Sequence, residues 1–569
     1  MKTAPIVLAV TLIALLAVSN PLARAQMPFT TIALSDKPAP GVADGARFHQ
    51  MDAIFTSSGQ LAIRAELAGP GIDRTNDFGL WVGSPGSLQL LAREGDPAPG
   101  LPGVNYGQFY VTNPFMNGAG QVAFASALTG PNVGDGWGAV WTGTPADLRI
   151  LARRGDPAPG LEPGVRFEYS LASSHSTRIS DSGQIIFYSE LSGPSISFYN
   201  SRSLWTTESG PPRIFARDGF TIPGSTNDLI CWSFASPAQN RAGQLAFRAT
   251  IGPPNDWAKA TYVLLTGSPF SLKIALRFGD PAPGAPGAVF GSGFSSTPGG
   301  IAAPGLNNVG QIAFLSNIEG PDIDDSNDDG IWAGSPGNLR LVARSGSPAP
   351  GTNTRFAGDE RHFDDYPTFW PPVLADNGHV AFIAQLTNAQ GQPVRDWGVW
   401  AGAPGNLSLI ARSADPAPGT RGLFAGGPDV PDGTYDDYPN GKASPFYFLT
   451  INPCGQVAFL GEVADAVGLF ATDPQGHLQL IALQHALFQV APGDYRTIEA
   501  IDFYGGYGPD AGLIFDAAGR LLFSATFSDG STGLFLATIP EPATPIALAL
   551  ISLAMLRPSR AHRLQEKHP

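Results

Sequence analysis

Three late segments of the chain combine aromatic rings with carboxylates, a mixture that suits the binding of sugars. They lie at residues 359–370, 435–439 and 502–507. Aromatic faces stack on the apolar C–H faces of sugar rings, while carboxylates accept hydrogen bonds from sugar hydroxyls. We therefore predict ligand binding by His362, Asp364, Asp365, Tyr366, Trp370, Asp436, Asp437, Tyr438 and Tyr504.

Two other interpretations of these segments stay open. In one, the Phe-Asp-Asp-Tyr-Pro pattern only packs the loops. In the other, a carboxylate pair such as Asp364 and Asp437, with His362 nearby, performs glycoside hydrolysis or lyase chemistry. The sequence contains no His-Glu-x-x-His, Gly-x-Ser-x-Gly or phosphate-loop motif. We therefore assign no catalytic residue and favour binding over catalysis.

A crowded acidic turn is a candidate metal site. Asp325, Asn327 and Asp329 fit the first half of a calcium loop, Asp-x-Asn-x-Asp-Gly. Close carboxylates repel one another, and a divalent cation relieves that repulsion. Position 12 of an EF-hand loop is Pro336 instead of Glu, so this is not an EF-hand. The pattern predicts calcium, with a solvated acidic turn as the alternative.

An arginine recurs in nearly every unit of the chain, within an Ala-Arg pair that precedes a Pro-Gly turn. A ring of these arginines would suit anionic glycans. A residue repeated in every unit more often serves the unit itself, as a strand-end ion pair or a turn cap. We favour this structural role for Arg93, Arg153, Arg217, Arg277, Arg344 and Arg412.

Composition limits the class of protein that these residues belong to. The 569 residues include 69 Gly and 53 Pro, and only 14% are charged. Hydrophobic residues make up 43%, too many for a disordered chain. The formal net charge of −14 disfavours nucleic-acid binding. A turn-rich, folded, all-β protein fits these values.

The middle of the chain is one repeated unit. A Gly-Gln-Val-Ala-Phe motif, usually with Asn or Asp three residues before the Gly, is followed by an x-Trp pair. A Leu-x-x-x-Ala-Arg segment comes next and ends at Gly-Asp-Pro-Ala-Pro-Gly. The glycines that open the first motif are 60 to 77 residues apart: Gly59, Gly120, Gly183, Gly243, Gly310, Gly378, Gly455 and Gly519.

Each unit predicts three clear strands, as at 121–128, 138–143 and 148–153, and a weaker fourth around a Phe such as Phe167. Four strands per unit are typical of a propeller blade. The chain begins with a Pro-x-Pro-Gly half-unit and ends with the other half. We therefore predict an eight-bladed β-propeller of four-stranded blades, whose last blade takes two strands from each terminus. The alternative is an open solenoid.

The repeats resemble a known family of secreted bacterial proteins. Residues 27–539 are similar to the tandem-repeat family defined by Asn-x-x-Gly-x-x-Ala-Phe, whose members carry alternative C-terminal anchors. The motif order also resembles that of TolB-type propeller blades. The second resemblance implies that the strand over 120–128 lies nearest the propeller axis. The repeat family implies no established activity.

Both ends of the chain are predicted to be sorting signals. Residues 1–25 have a basic start, an apolar run and an Ala-x-Ala site, which indicates a cleaved signal peptide. Residues 540–569 resemble a PEP-CTERM signal: Pro540-Glu541-Pro542, an apolar run and arginines. This resemblance implies processing by an exosortase in a Gram-negative bacterium, with a membrane contact through this segment alone. The propeller is then 26–539, and its two cysteines, Cys231 and Cys454, are free to pair or not.

These features together predict a secreted or cell-surface protein that binds an extracellular polysaccharide or an envelope protein without acting on it. A polysaccharide-active hydrolase or lyase is the second hypothesis. A purely structural envelope protein is the third.

Overall fold

The computed structural model describes residues 29–539 apart from 43–44, 56–58, 110–113, 132, 135–137, 169–176, 208–209, 222–228, 236, 255, 292–303, 359–367, 389, 428–443 and 503–513. This part of the chain forms eight small antiparallel sheets arranged in a ring, an eight-bladed β-propeller. The predicted fold class is therefore confirmed. Phe198–Asn200 and Trp257–Lys259 form short 3-10 turns.

The strands follow one another around the ring. The first strand, β1 (Phe29–Leu34), belongs to the last blade. Blade 1 contains β2 (Arg47–Phe55), β3 (Leu61–Ala68), β4 (Phe78–Ser84) and β5 (Ser87–Arg93). Blade 2 contains β6 (Asn105–Tyr106), β7 (Phe115–Met116), β8 (Val122–Thr129), β9 (Gly138–Gly143) and β10 (Arg149–Arg153). Blade 3 contains β11 (Arg166–Phe167), β12 (Arg178–Ile179), β13 (Ile185–Ser192), β14 (Arg202–Thr207) and β15 (Arg213–Arg217). Blade 4 contains β16 (Ile230–Phe234), β17 (Ala238–Gln239), β18 (Leu245–Gly252), β19 (Thr261–Ser268) and β20 (Ser271–Arg277).

The second half repeats this plan. Blade 5 contains β21 (Val289–Phe290), β22 (Gly305–Leu306), β23 (Ile312–Glu319), β24 (Asp329–Ser335) and β25 (Asn338–Arg344). Blade 6 contains β26 (Val373–Leu374), β27 (Val380–Thr387), β28 (Pro393–Ala403) and β29 (Asn406–Arg412). Blade 7 contains β30 (Phe446–Ile451), β31 (Val457–Val463), β32 (Ala466–Thr472) and β33 (Leu478–Leu483). Blade 8 contains β34 (Leu487–Ala491), β35 (Asp494–Asp502), β36 (Arg520–Phe527) and β37 (Thr532–Thr538), with β1 paired to β37.

The weak strand of each unit has a different place from the one predicted. The strand around Phe167 pairs with β13, so it opens blade 3 instead of completing blade 2. It is interrupted in most blades: β11 and β12 pair with the two ends of β13, and 169–176 lie between them. This split strand lies nearest the axis. The expectation that 120–128 lies innermost was therefore wrong, because β8 is the second strand of blade 2.

The ring closes with one N-terminal strand, where two were predicted. Strand β1 forms the outer edge of blade 8 by pairing with β37, and the other strands of that sheet come from the C-terminal end. Blades 8 and 1 also meet beside Gly59, which lies against the Arg520 guanidinium. The last blade is thus shared between the two ends of the described chain, as predicted.

The sequence motifs are explained by a trio of aromatic rings in the cores of blades 2, 3 and 5 to 8. In blade 6, Phe382 of the Ala-Phe motif stacks on Trp400, with 5.9 Å between ring centroids. Phe356, from the predicted weak strand, meets Trp400 edge-on at 5.0 Å. Blades 3 and 5 repeat the trio. The three spaced motifs therefore converge on one core per blade.

The Asn of the Asn-x-x-Gly motif links neighbouring blades. The Asn307 amide accepts hydrogen bonds from the Val309 and Gln311 N–H groups, which closes its own turn. Its Nδ2 donates to the Ala375 carbonyl of the next blade at 2.9 Å. The same link to the next blade recurs at Asn117, Asn240 and Asn452. The motif thus holds the ring together near its axis.

Replacing Asn307 by Ala should lower the free energy of unfolding by about 2 kcal/mol, because the Val309 and Gln311 N–H groups lose their acceptor and the hydrogen bond to the Ala375 carbonyl of the next blade is lost. Denaturant unfolding measures this loss. Asn338→Ala, at an exposed hairpin position, is the matched control and should change little. Equal losses in the two variants would contradict the inter-blade role.

Candidate functional site

A cavity lies on the propeller axis, where the innermost strands of the blades converge. Its volume is about 280 Å³, near the low end for small-molecule sites. All eight blades contribute to its wall. The lining includes Ile54, Phe115, Met116, Arg178, Ile179, Ala238, Gln239, Gly305, Leu306, Val373, Leu374, Thr450, Ile451 and Ile514.

One end of the cavity is bordered by the Asn-x-x-Gly turns, which place polar side chains there. Asp181, Arg241, Asn308 and Asp376 follow the motif position in four successive blades. They are joined around the ring: the Arg241 N–H donates to Asn308 Oδ1 at 2.9 Å, and Asn308 Nδ2 donates to Asp376 Oδ2 at 2.9 Å. Charges of both signs therefore surround the opening, which suits a polar ligand.

Arg178 is a buried cation in the cavity wall. Its guanidinium lies 4.1 Å from the centroid of the Phe115 ring, a cation–π contact between blades 3 and 2. Burial lowers the pKa of Arg178 to about 9, so the side chain stays charged at neutral pH. Sequence reasoning missed Arg178 and Phe115 because their strands are two residues long and carry no alternating pattern.

Most of the predicted ligand-binding residues lie outside the described part of the chain. These are His362, Asp364, Asp365, Tyr366, Asp436, Asp437, Tyr438 and Tyr504. The described residues on both sides place their segments. Phe356 pairs with Leu386 and Phe369 with Ala384, both on β27, so the described residues before and after 359–367 both belong to the innermost strand of blade 6. The described residues on both sides of 428–443 and of 503–513 likewise pair with the second strands of blades 7 and 8, β31 and β36.

The described residues on both sides of each segment thus belong to one blade. The connections between blades are the Pro-x-Pro-Gly turns, such as Pro348, which pairs with Arg355. The predicted boundaries of the blades were displaced by one strand, because the weak strand was assigned to the end of one unit and opens the next blade. The described flanks of the three segments occupy equivalent places in successive blades, since each pair of flanks borders the second strand of its own blade. Ligand binding by the segments themselves stays a prediction.

Trp370 is the predicted ligand-binding residue that the structure describes. Its backbone N–H donates to the Ile383 carbonyl at 3.0 Å, which continues the innermost strand of blade 6. The half-buried ring packs against the hydrophobic clusters of blades 6 to 8. Trp370 therefore packs against the core of the propeller. Ligand binding by this side chain stays a prediction.

The candidate calcium residues lie in the hairpin that connects β23 and β24. Asn327 Oδ1 accepts a hydrogen bond from Arg344 Nη2 at 2.6 Å, and Asp329 is buried within β24. The amide oxygen of Asn327, which would bind the ion, is thus already hydrogen-bonded to the Arg344 guanidinium. Across the described residues, no three His, Cys, Asp or Glu side chains converge as a metal site. Calcium at Asp325, Asn327 and Asp329 stays a prediction.

The repeated arginines brace this same hairpin in several blades. Arg93, Arg217 and Arg344 each donate through Nε to the backbone carbonyl of the hairpin Asn, at 2.6 to 3.0 Å. Arg412 instead pairs with the buried Asp396. These contacts support a structural role for the repeated arginines and not a ring of arginines that binds anionic ligands.

Two perturbed carboxyl groups lie outside every predicted site. Burial, together with the neighbouring Asp77 carboxylate, raises the pKa of Glu94 to about 7. Burial also raises the pKa of Asp218 to about 6, against the effect of its ion pair with Arg202. Each directly follows a repeated arginine at the end of an outer strand.

The cysteines are far apart along the ring. Cys231 is a buried free thiol in blade 4, and Cys454 is an exposed free thiol in the turn before β31. The sequence left open whether the two cysteines pair. In the structure both are free thiols. In the described residues, the structure has no helix long and apolar enough to cross a membrane.

Solved structures similar to this chain include three propeller and lyase proteins. An oligogalacturonate lyase in complex with manganese is 13% identical, with a TM-score of 0.33, over 88% of this chain and 99% of that one. The β-propeller domain of the Trilobed protease from Pyrococcus furiosus is 9% identical, with a TM-score of 0.34, over 77% and 98%. The polysaccharide lyase Uly1 is 9% identical, with a TM-score of 0.32, over 91% and 98%. Similarity at this level carries no information about activity.

Comparison with protein families gives a closer assignment. No curated protein matches the chain. The model of a family of unknown function, DUF7453, matches twice, over residues 30–298 and 264–546. Since the two matches together cover most of the chain, this protein belongs to the DUF7453 family.

Proposed function

We propose that this propeller is an exported binding module for an extracellular polysaccharide. One observation carries the proposal: in three consecutive blades, 6 to 8, the sequence between the described parts of the innermost strand combines aromatic and acidic residues. Those strands border the axial cavity. A ligand held by the segments therefore sits beside a cavity with a mixed polar and apolar wall.

The chemistry of the segments favours sugars. Tyr366, Tyr438 and Tyr504 come from blades 6, 7 and 8, and each lies within a few residues of an aspartate. In this proposal the three segments provide successive subsites for one ligand, which suits a polymer of repeating units. Loops that depart from the repeat are the usual binding elements of repeat folds.

Two further hypotheses remain distinct from this one. An envelope protein is the alternative partner for the same segments. A hydrolase or lyase would use Asp364, Asp437 and His362 as acid, base or nucleophile. Binding and turnover are separated by scoring both in one assay.

The test uses residues 26–539 and a panel of soluble polysaccharides, scoring retention and the release of reducing or unsaturated ends. We expect retention without release, and at least about a tenfold loss of affinity in Tyr438→Ala plus Tyr504→Ala. Tyr495→Ala is the matched control, since Tyr495 is 56% exposed on the described part of blade 8. Trp370→Ala is unsuitable because that ring packs in the core.

The outcomes separate the hypotheses. Release of ends that is lost in Asp364→Asn would replace the binding module by an enzyme. Absence of any retention would contradict glycan binding, and an affinity pull-down from envelope extracts would then test the protein partner.

Export and processing are the second part of the proposal. The signal peptide at 1–25 and the PEP-CTERM-like segment at 540–569 would direct the propeller to the cell surface, with an exosortase as the processing partner. Mass spectrometry of the mature protein tests this. We expect an N-terminus near Gln26 and loss of the residues after Pro540, whereas an intact chain recovered from the cytoplasm would contradict export.

A further inference from the structure

Blades 3 and 4 carry a group of exposed aromatic side chains that none of the repeats explains. Phe198 is 86% exposed, Tyr199 70%, Trp257 58% and Phe220 48%. Soluble proteins seldom expose several large rings together, and such patches are commonly binding sites. We define these four residues, together with Trp232, as the aromatic strip.

The residues of the strip lie on both sides of the boundary between the two blades. Phe198 and Tyr199 lie in the hairpin between β13 and β14, and Phe220 lies in the turn that leads from β15 to β16. Arg217 joins them: its Nε donates to the Asn200 carbonyl at 2.7 Å, and its guanidinium lies 4.5 Å from the Phe220 centroid. The rings of blade 3 and the inter-blade turn are thus held at fixed positions.

The second half of the strip lies in blade 4. The Phe220 carbonyl accepts a hydrogen bond from the Cys231 N–H at 3.0 Å, which places Trp232 next along the strip. Trp232 meets Trp257 edge-on, with 5.5 Å between ring centroids and planes at 85°. Trp257 belongs to the hairpin between β18 and β19, the counterpart of the hairpin that carries Phe198. All five rings therefore lie at the same end of their blades.

The geometry favours sugar rings over a flat apolar partner. Phe198 and Tyr199 are also edge-on, with planes at 84°, so the strip presents separate ring faces and not one continuous apolar sheet. Polar groups flank the rings: Asp256 and Lys259, paired at 2.8 Å, lie beside Trp257, and Asn200 lies beside Tyr199. A pyranose ring needs this combination, an aromatic face for its C–H groups and hydrogen-bonding groups at its edge.

The charged side chains beside the aromatic strip are also consistent with a sugar ligand. The exposed Lys259 is neutralised by Asp256, and Arg202 by the buried Asp218. Arg217 is almost fully buried beneath Phe220. Among the described residues, the charges beside the strip are therefore paired or buried, which fits a polysaccharide with uncharged units better than a strongly charged partner.

We propose that the aromatic strip on blades 3 and 4 is a second polysaccharide-binding site, which takes pyranose units through stacking on Trp257, Tyr199 and Phe198. This inference rests on the proposed function for its ligand class. It differs in place, since the strip lies on blades 3 and 4 and the predicted ligand segments interrupt blades 6 to 8. Two separate sites on one ring engage a long polymer more tightly than a short oligosaccharide.

The test compares variants of residues 26–539 by affinity electrophoresis in hydroxyethylcellulose, a neutral glucan, and in alginate, an acidic one. We expect Trp257→Ala and Tyr199→Ala together to weaken glucan binding at least about tenfold. Phe270→Ala is the matched control, because Phe270 is 44% exposed on the hairpin at the opposite end of β19. A proline decamer is tested as well, to show whether the aromatic strip binds a peptide instead of a sugar.

Each outcome has one meaning. If the strip variant binds glucan as the parent does while Tyr438→Ala plus Tyr504→Ala loses binding, the second site is refuted and the proposed function stands. If only the strip variant loses binding, the strip is the glycan site and the segments of blades 6 to 8 are not. Binding of alginate alone, binding of the proline decamer lost in the strip variant, or no glycan binding by the parent overturns the inference.

Discussion

Removal of β1 is expected to open the propeller at blade 8 and to lower its stability more than any point substitution. A chain of residues 35–539 lacks the strand that joins the first part of the molecule to the last. We expect its denaturant unfolding to begin at a lower concentration than that of residues 26–539. The transition should split, because a ring that is open at one blade unfolds from that blade.

The size of the effect follows from what β1 buries and bonds. Ile32 and Leu34 are buried in the cluster of blades 8 and 1, and their burial is worth about 3–6 kcal/mol together. Strand β1 pairs with β37 from Phe29 to Leu34, and Thr31 Oγ1 donates to the Val490 carbonyl at 2.6 Å. Without β1, the outer edge of β37 is unpaired and open to association with other chains.

A peptide of residues 26–42 added in trans is expected to restore the single transition, since the closure is non-covalent. Thr30→Ala is the control, because Thr30 is exposed on β1 and should change nothing. Identical unfolding of the short and the long chain would show that the ring does not depend on this strand. Deletion that prevents folding altogether would be distinguished by the rescue with the peptide.

The propeller was predictable because the repeats mark its second, third and outer strands. Those strands are five residues long or more and contain the Ala-Phe, Trp and Ala-Arg motifs. The innermost strand was placed in the wrong blade because its halves, such as β11 and β12, have two residues each and no alternation. Pairing partners decide the blade of such a strand, and these are distant in sequence.

The site was less predictable than the fold. Arg344 is 17 residues from Asn327, and no local pattern indicates that its guanidinium binds the Asn327 amide oxygen. The aromatic strip is likewise dispersed, from Phe198 to Trp257, and its rings come together only through the turn between two blades. One signal was available: these aromatics sit in repeat units at positions where other units carry none.

The second large effect is expected for Trp400→Ala, which removes the centre of the core of blade 6. Trp400 is fully buried, stacks on Phe382 and meets Phe356 edge-on. Its Nε1 donates to the Pro350 carbonyl at 2.9 Å, which fixes the turn that leads into the blade. Loss of a buried Trp side chain costs about 3–5 kcal/mol because a cavity remains.

Two companion variants show which property of Trp400 matters. Trp400→Phe should recover more than half of the loss, since blades 7 and 8 carry Phe470 and Phe535 at the equivalent position. Gly398→Ala should destabilise the protein although Trp400 itself is unchanged, because a Cβ at position 398 would lie 2.5 Å from the indole ring. Close approach of the ring to the backbone explains why this position, two residues before the Trp, is glycine.

The measurement is denaturant unfolding of residues 26–539 followed by fluorescence and circular dichroism. Trp257→Ala is the matched control, a Trp that is 58% exposed and packs only against Trp232 among the described rings. Its unfolding midpoint should stay close to that of the parent, while the midpoint of Trp400→Ala falls. Equal midpoints for Trp400→Ala and Trp257→Ala would contradict the aromatic trio as the core of the blade. A large fall in Trp400→Ala together with recovery in Trp400→Phe would establish ring packing, with the indole hydrogen bond as the smaller contribution.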